Sequence, residues 1–544
     1  MNKLNHSLYS RRDFLQKTGK GLLAGALLPL FNCTNSTEIP GSGSVRRFHI
    51  SLSTLGLKKF PEIPQLAAQA GVTDVWLASF LYGRWYAKPQ DLKIIAGKLK
   101  DKYGFNTHII NVPLGHPGNA LGVDESELTS TPPAHWKNAC TIDGQLYSGT
   151  SIHPPAVKEN ADAVKKLQQT GFDAVFLDDD FRIAKYPGMI GGCFCSDCRN
   201  DFLKKYGYSA SQWDILIDSV HKRNPSEILR SWIEFWDDRL YSMFNAMQKA
   251  APKISLGIMI MYFGAEKAGF ALERFKNVPF RVGELMFSDR EFDPIKGKTD
   301  ELFSSLFHRR FAKPELAYSE TTAFPNDALS GPNIAAKLTV SLISDVRNTM
   351  FMSGVLPFPP DRWQYIAPAM KKSAELHKTI AGHRPAGPFK HFWGWDSRLV
   401  GRDKPFSLFL ASGIPFEVVD ELPDDGWVFL SDEDAKAVDE KRLIPRKSKL
   451  LARKDSGLSN KNLIAINEDF NDIFTIKKKI IPSLKGIPYI AGDDPVVFAW
   501  YPGAKSGLLW NVNNEQKSFQ VMLDGKIIKN IDIKPLDVEM VRIL

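Results

Sequence analysis

The chain has 544 residues, 43% of them apolar, and a formal net charge of +9 from 70 basic and 61 acidic side chains. That length exceeds one hydrophobic core and predicts two or three domains. The charge is dispersed; its tightest basic run, Lys477 to Lys479, reads as a solvated face, which sets a nucleic-acid binder aside.

Residues 1–45 read as targeting sequence and linker. Ser10-Arg11-Arg12-Asp13-Phe14-Leu15-Gln16-Lys17 resembles a twin-arginine export signal, and the apolar stretch Gly21 to Phe31 is too short to span a bilayer. Leu30-Phe31-Asn32-Cys33 loosely matches a lipoprotein cleavage box. Lipidation at Cys33 and ordinary cleavage nearby both stand, with residues 34 to 44 as a tether. The expected location is the periplasm or, through a lipid anchor, the cell envelope.

From residue 46 the sequence alternates buried-strand runs with helical patterns, as a parallel sheet requires. The predicted strands are Phe48 to Leu55, Asp74 to Phe80, Thr107 to Val112, Phe172 to Leu177, Ile254 to Tyr262, Arg281 to Phe287, Glu315 to Ser319 and Thr349 to Met352. With their helices they make a (β/α)8 barrel over 46–384. A small Rossmann-like α/β domain is expected over 385–490, where Phe406 to Leu410 looks helical and Ser431 caps a helix. A small antiparallel β domain is expected over 491–544. Trp393 and Trp395 read as packing between domains.

The fourth predicted strand ends on Asp178, Asp179 and Asp180, and the seventh delivers Glu320 to the same end. Strand ends of that kind hold the chemistry of an α/β barrel. Two facing carboxylates can cleave a glycosidic bond, one protonating the leaving oxygen and the other attacking or activating water. Asp180 and Glu320 are the predicted catalytic pair. Asp178, Asp179, Arg84, Trp85, His116, Tyr262, Glu284 and Trp363 are the predicted carbohydrate contacts, with core packing the other reading for the aromatic ones. Three successive Asp could instead hold Mg²⁺ for a hydrolase or isomerase, and an inactive carbohydrate-binding barrel is a third reading. Of five cysteines, Cys193, Cys195 and Cys198 crowd one short loop, and with Cys140 they make four, the number a closed structural zinc site needs; disulfides, which an oxidising compartment favours, are the other reading, though the crowding speaks against them.

Together these residues resemble glycoside hydrolase family 42, the bacterial β-galactosidases. The resemblance implies an acid/base at Asp180, where that family has Glu, and a nucleophile at Glu320. It implies a sugar contact at Asp179, where the family has Asn, and zinc on Cys140, Cys193, Cys195 and Cys198. Gly413 to Asp420 and Leu430 to Ala435 resemble the family's second domain, which implies a trimer. The two Asp departures imply a divergent relative with a changed substrate.

Overall fold

The computed structural model describes residues 46–114, 132–178, 181–185, 188–283, 285–354, 356–454 and 463–543. The export signal, Cys33, His116, Asp179, Asp180 and Glu284 lie outside the described residues.

Eight parallel strands, Arg47–Leu52, Asp74–Leu81, Asn106–Val112, Ala174–Leu177, Ser255–Met261, Phe280–Gly283, Ala317–Thr322 and Asn348–Met352, pair in chain order. The first pairs with both the second and the eighth, which closes the sheet into a (β/α)8 barrel. Helices return the chain between them, such as Pro154–Thr170, where prolines open the first turn and Gly171, at φ 107°, accepts the left-handed turn that starts the fourth strand.

Aromatic rings stopper the barrel's interior. Trp76 lies 4.6 Å from Phe176, Phe176 4.9 Å from Tyr318, and Tyr318 5.2 Å from His49, with Met350 in the same cluster. Burying a ring the size of Phe176 contributes about 3 kcal/mol. Such layers make a barrel interior a packed core rather than a pore.

Beneath the rings, at the strand-start end, His108 hydrogen-bonds Asp74 at 3.0 Å and Asp173 at 3.2 Å, while His49 lies 3.8 Å from Asp74. Burial opposes charge on His108, but the bonds to Asp173 and Asp74 outweigh it and raise its pKa to about 9. Burial likewise opposes charge on Asp74, yet the bond from His108 and the proximity of His49 hold it at about 2. His108 therefore stabilises the fold fully below its unfolded value of about 6.5, and that contribution disappears as pH rises through about 9. Asp74 contributes above about 3.9 and loses its share as pH falls through about 2. The melting temperature is expected to fall between pH 6.5 and 9, with a smaller fall in His108→Asn; equal falls would remove His108 as the cause.

Beyond the barrel, Phe416–Val419, Phe389–Phe392, Trp427–Leu430, Lys449–Arg453 and Leu463–Ile466 form a parallel sheet in that spatial order. Ser431 caps its helix Asp432–Asp439, accepting from Asp434 N. Two three-stranded antiparallel sheets follow. Trp393 is buried where barrel meets sheet, 4.4 Å from Phe263, whereas Trp395 is 38% exposed, with Arg230 and Arg398 over its ring.

Several predicted elements shift. The first strand ends at Leu52, because Ser53 caps a helix Thr54–Lys59. The sixth is only Phe280–Gly283. The seventh starts after a 3-10 turn at Pro314–Leu316 and runs to Thr322, so Glu320 lies inside it rather than past its end. The predicted helix Phe406 to Leu410 reduces to a 3-10 turn, Leu408–Ala411. The long loop after the third strand contains a hairpin, Asn138–Cys140 with Leu146–Thr150, and the Phe389–Phe392 strand was not foreseen.

Candidate active site

Side chains alternate along a strand, so Tyr318, Glu320 and Thr322 share one face, as do Ala174, Phe176 and the following Asp178. Tyr318 and Phe176 belong to the interior ring stack. Glu320 and Asp178 therefore point into the barrel above it. Both are nearly buried, at 4% and 9% exposed.

A third interior charge sits between them. Arg281, on the sixth strand, is fully buried with its guanidinium 5.6 Å from the Phe176 ring. One terminal nitrogen donates to Asp178 Oδ1, and the other lies 3.4 Å from Met350 Sδ. Its Nε is 3.7 Å from Glu320 Oε2, while Thr322 Oγ1 donates to Glu320 Oε1 at 3.0 Å. Burial lowers the Arg281 pKa and Glu320 works the other way. One cation thus serves two acids, and the attraction favours the charged form of each.

Of the predicted pair this cluster contains Glu320, while Asp180 lies outside the described residues. Asp178, expected as a sugar contact, is bound to Arg281, which leaves it a poor ligand for Mg²⁺. Arg281 was not predicted; its signal was a charged residue between Phe280 and Val282 in an apolar run. Trp85 and Arg84 form a short antiparallel strand against Phe80 and Leu81. The Trp85 ring lies 5.0 Å from Phe80 and 5.7 Å from Lys166 Nζ, so it packs on the outer helix, while Arg84 is exposed. Tyr262 is 2% exposed and packs on Phe263 at 4.5 Å; burial, then Asp300 and Asp403, raise its pKa. Trp363 is buried 5.9 Å from Phe351. Tyr262 and Trp363 take the core-packing reading.

The Sγ atoms of Cys193, Cys195 and Cys198 lie within 4.8 Å of one another. Cys140 joins through its backbone, donating to Cys193 Sγ at 3.3 Å and accepting from Phe194 N at 2.9 Å, while its thiol lies 3.5 Å from Thr141 O. A hydrogen bond from Cys198 holds the Cys193 thiol below its usual range despite burial. All four thiols are free of disulfides. Three converging sulfurs fit a soft or borderline metal such as zinc.

Solved structures share this architecture. The chain is similar to the β-galactosidase from Rahnella sp. R3, at 10% identity and TM-score 0.57, over 92% of this chain and 98% of that one. Against the β-galactosidase from Bacillus circulans sp. alkalophilus, identity is 10% and the TM-score 0.57, over 91% and 98%. Against Gan42B, a GH42 β-galactosidase from G. stearothermophilus, identity is 10% and the TM-score 0.60, over 92% and 98%. At this identity the likeness is one of fold. No family model matches the sequence, and the comparison with curated proteins found no match.

Proposed function

We propose that the chain is a glycoside hydrolase that cleaves a glycosidic bond of an oligo- or polysaccharide with two carboxylates. The observation that carries this reading is Glu320, an acid inside a barrel strand and near its end, facing Arg281 at 3.7 Å and oriented by Thr322. Arg281 favours the ionised carboxylate, the form that attacks an anomeric carbon or takes a proton from water. Asp178, bound to the same guanidinium, holds Arg281 in place. The proton for the leaving oxygen then comes from Asp180, two positions further on. The fold shared with β-galactosidases supports the substrate class. A screen of the chain against aryl glycosides and plant polysaccharides tests the reading. Sugar binding without cleavage throughout would favour the inactive binding barrel instead.

Zinc on Cys193, Cys195 and Cys198, with Cys140 as the fourth candidate, belongs to the same proposal. When bound it would supply cross-linking rather than chemistry, tying the loop after the fourth strand to the hairpin. The chain is expected to carry about one zinc per molecule. Cys193→Ser should lose metal and melt earlier; unchanged metal content, measured by atomic absorption, would exclude the site. Export by the Arg11-Arg12 signal and assembly as a trimer complete the proposal, and cell fractionation and light scattering test them.

A further inference from the structure

The barrel's strand-start end has an electrostatic character of its own. Along the arc from the fifth strand through the eighth to the first, the segments feeding the strands carry Lys253, Lys276, Lys313, Arg347 and Arg47. Arg384 follows the last barrel helix. All but Arg347 are exposed, and the exposed acids of the same segments are Glu273 and Glu315.

Lys276, Lys313 and Arg384 line one cleft of about 450 Å³. None of the three makes a side-chain hydrogen bond or ion pair among the described residues. Two other guanidinium groups in its wall are already neutralised, Arg309 by Asp345 at 3.1 Å and Arg310 by Asp420 at 2.7 Å. The pKa of Arg384 is lowered mainly by partial burial and then by Arg310, while Asp345, Glu417 and Asp420 act the other way, and Glu273 also lines the cleft. A helix dipole draws cations only to its last turn, and Lys313 and Arg384 lie beyond theirs.

The chain also enters the barrel here. Arg47 N donates to Arg347 O at 2.8 Å, and the buried Arg46 guanidinium donates to Thr349 Oγ1 at 2.6 Å. The described chain thus begins at this face, while the acids around Arg281 face the opposite end. The basic arc is wider than one small anion needs, which favours an extended partner.

We propose that this face docks on an anionic lipid bilayer, with lipid phosphate groups entering the cleft among Lys276, Lys313 and Arg384. The inference is independent of the chemistry at the mouth. The test is sedimentation of the full chain carrying Cys33→Ser, so that no lipid is attached. The vesicles are phosphatidylcholine alone, or phosphatidylcholine and phosphatidylglycerol in equal parts. Binding is expected to the anionic vesicles only, to disappear at high salt, and to weaken about 100-fold when Lys276→Glu, Lys313→Glu and Arg384→Glu are combined. Reversing Lys441, Lys447 and Lys526, exposed outside the barrel, should leave binding intact. If the triple variant melts early, Lys313→Glu alone is compared, with a loss of about five-fold. Equal binding to neutral vesicles, or a well-folded charge variant that binds as the parent does, overturns the proposal. So does uptake of inorganic phosphate without vesicle binding, which would make the cleft a small-anion site.

Discussion

Glu320→Gln is expected to reduce glycoside turnover by about 10³–10⁴-fold while the chain still folds. The amide has nearly the shape of the acid and can still accept the 3.0 Å bond from Thr322. What it lacks is the charge facing Arg281, and with it the capacity to form a glycosyl ester or to activate water. Arg281 keeps Asp178, so the loss of stability should be modest. Turnover within tenfold of the parent would take Glu320 out of the reaction. With Glu320→Gly, added azide should restore turnover as a glycosyl azide if Glu320 is the nucleophile, and the anomer formed would report the stereochemistry.

Arg281→Met should have the largest effect on stability, about 3–5 kcal/mol, because it removes the guanidinium bound to the nearly buried Asp178 and the cation beside Glu320. The cause can be separated from lost packing. Adding Asp178→Asn should recover much of the loss, since the charge that Arg281 compensated most directly is gone. Without Arg281, burial alone acts on the two carboxylates and penalises their charged forms. The variant is therefore expected to gain stability relative to the parent at acid pH, where protonation removes that penalty. Denaturation midpoints at pH 5 and pH 8 measure the change. A deficit that is equal at both pH values, and unmoved by Asp178→Asn, would show that Arg281 acts as a space-filler only.

Most of the barrel was legible because strands buried on both faces read as apolar runs, and the cores of all eight stand where those runs are. The polar interior was not. Arg281 marked the edge of the sixth predicted strand, since a charge in an apolar run reads as a boundary when no partner is in view. Only closure brings it beside Asp178 and Glu320, which lie 103 residues before it and 39 after it. Glu320 was read at this end of the barrel, but the strand drawn from Glu315 to Ser319 started too early and left the acid outside it. The hairpin Asn138–Cys140 with Leu146–Thr150 carries too short an alternation to stand out from a loop. Tyr262 and Trp363 were ambiguous for another reason: an aromatic residue after a strand looks the same whether its ring meets a sugar or a neighbour such as Phe263 or Phe351. The clustering of Cys193, Cys195 and Cys198 was legible from spacing alone, because six residues of chain cannot carry three sulfurs far apart.

The ring stack of His49, Trp76, Phe176 and Tyr318 makes the barrel a cul-de-sac. Anything that reaches Arg281 arrives and departs through the same opening. A polymer cannot thread the molecule from end to end; it can only dip a terminus into the mouth or lie across it. Under the glycosidase reading proposed above, a polymer would be cut either at a terminus dipped into the mouth or at a bond lying across it, and both pieces would leave by that one opening.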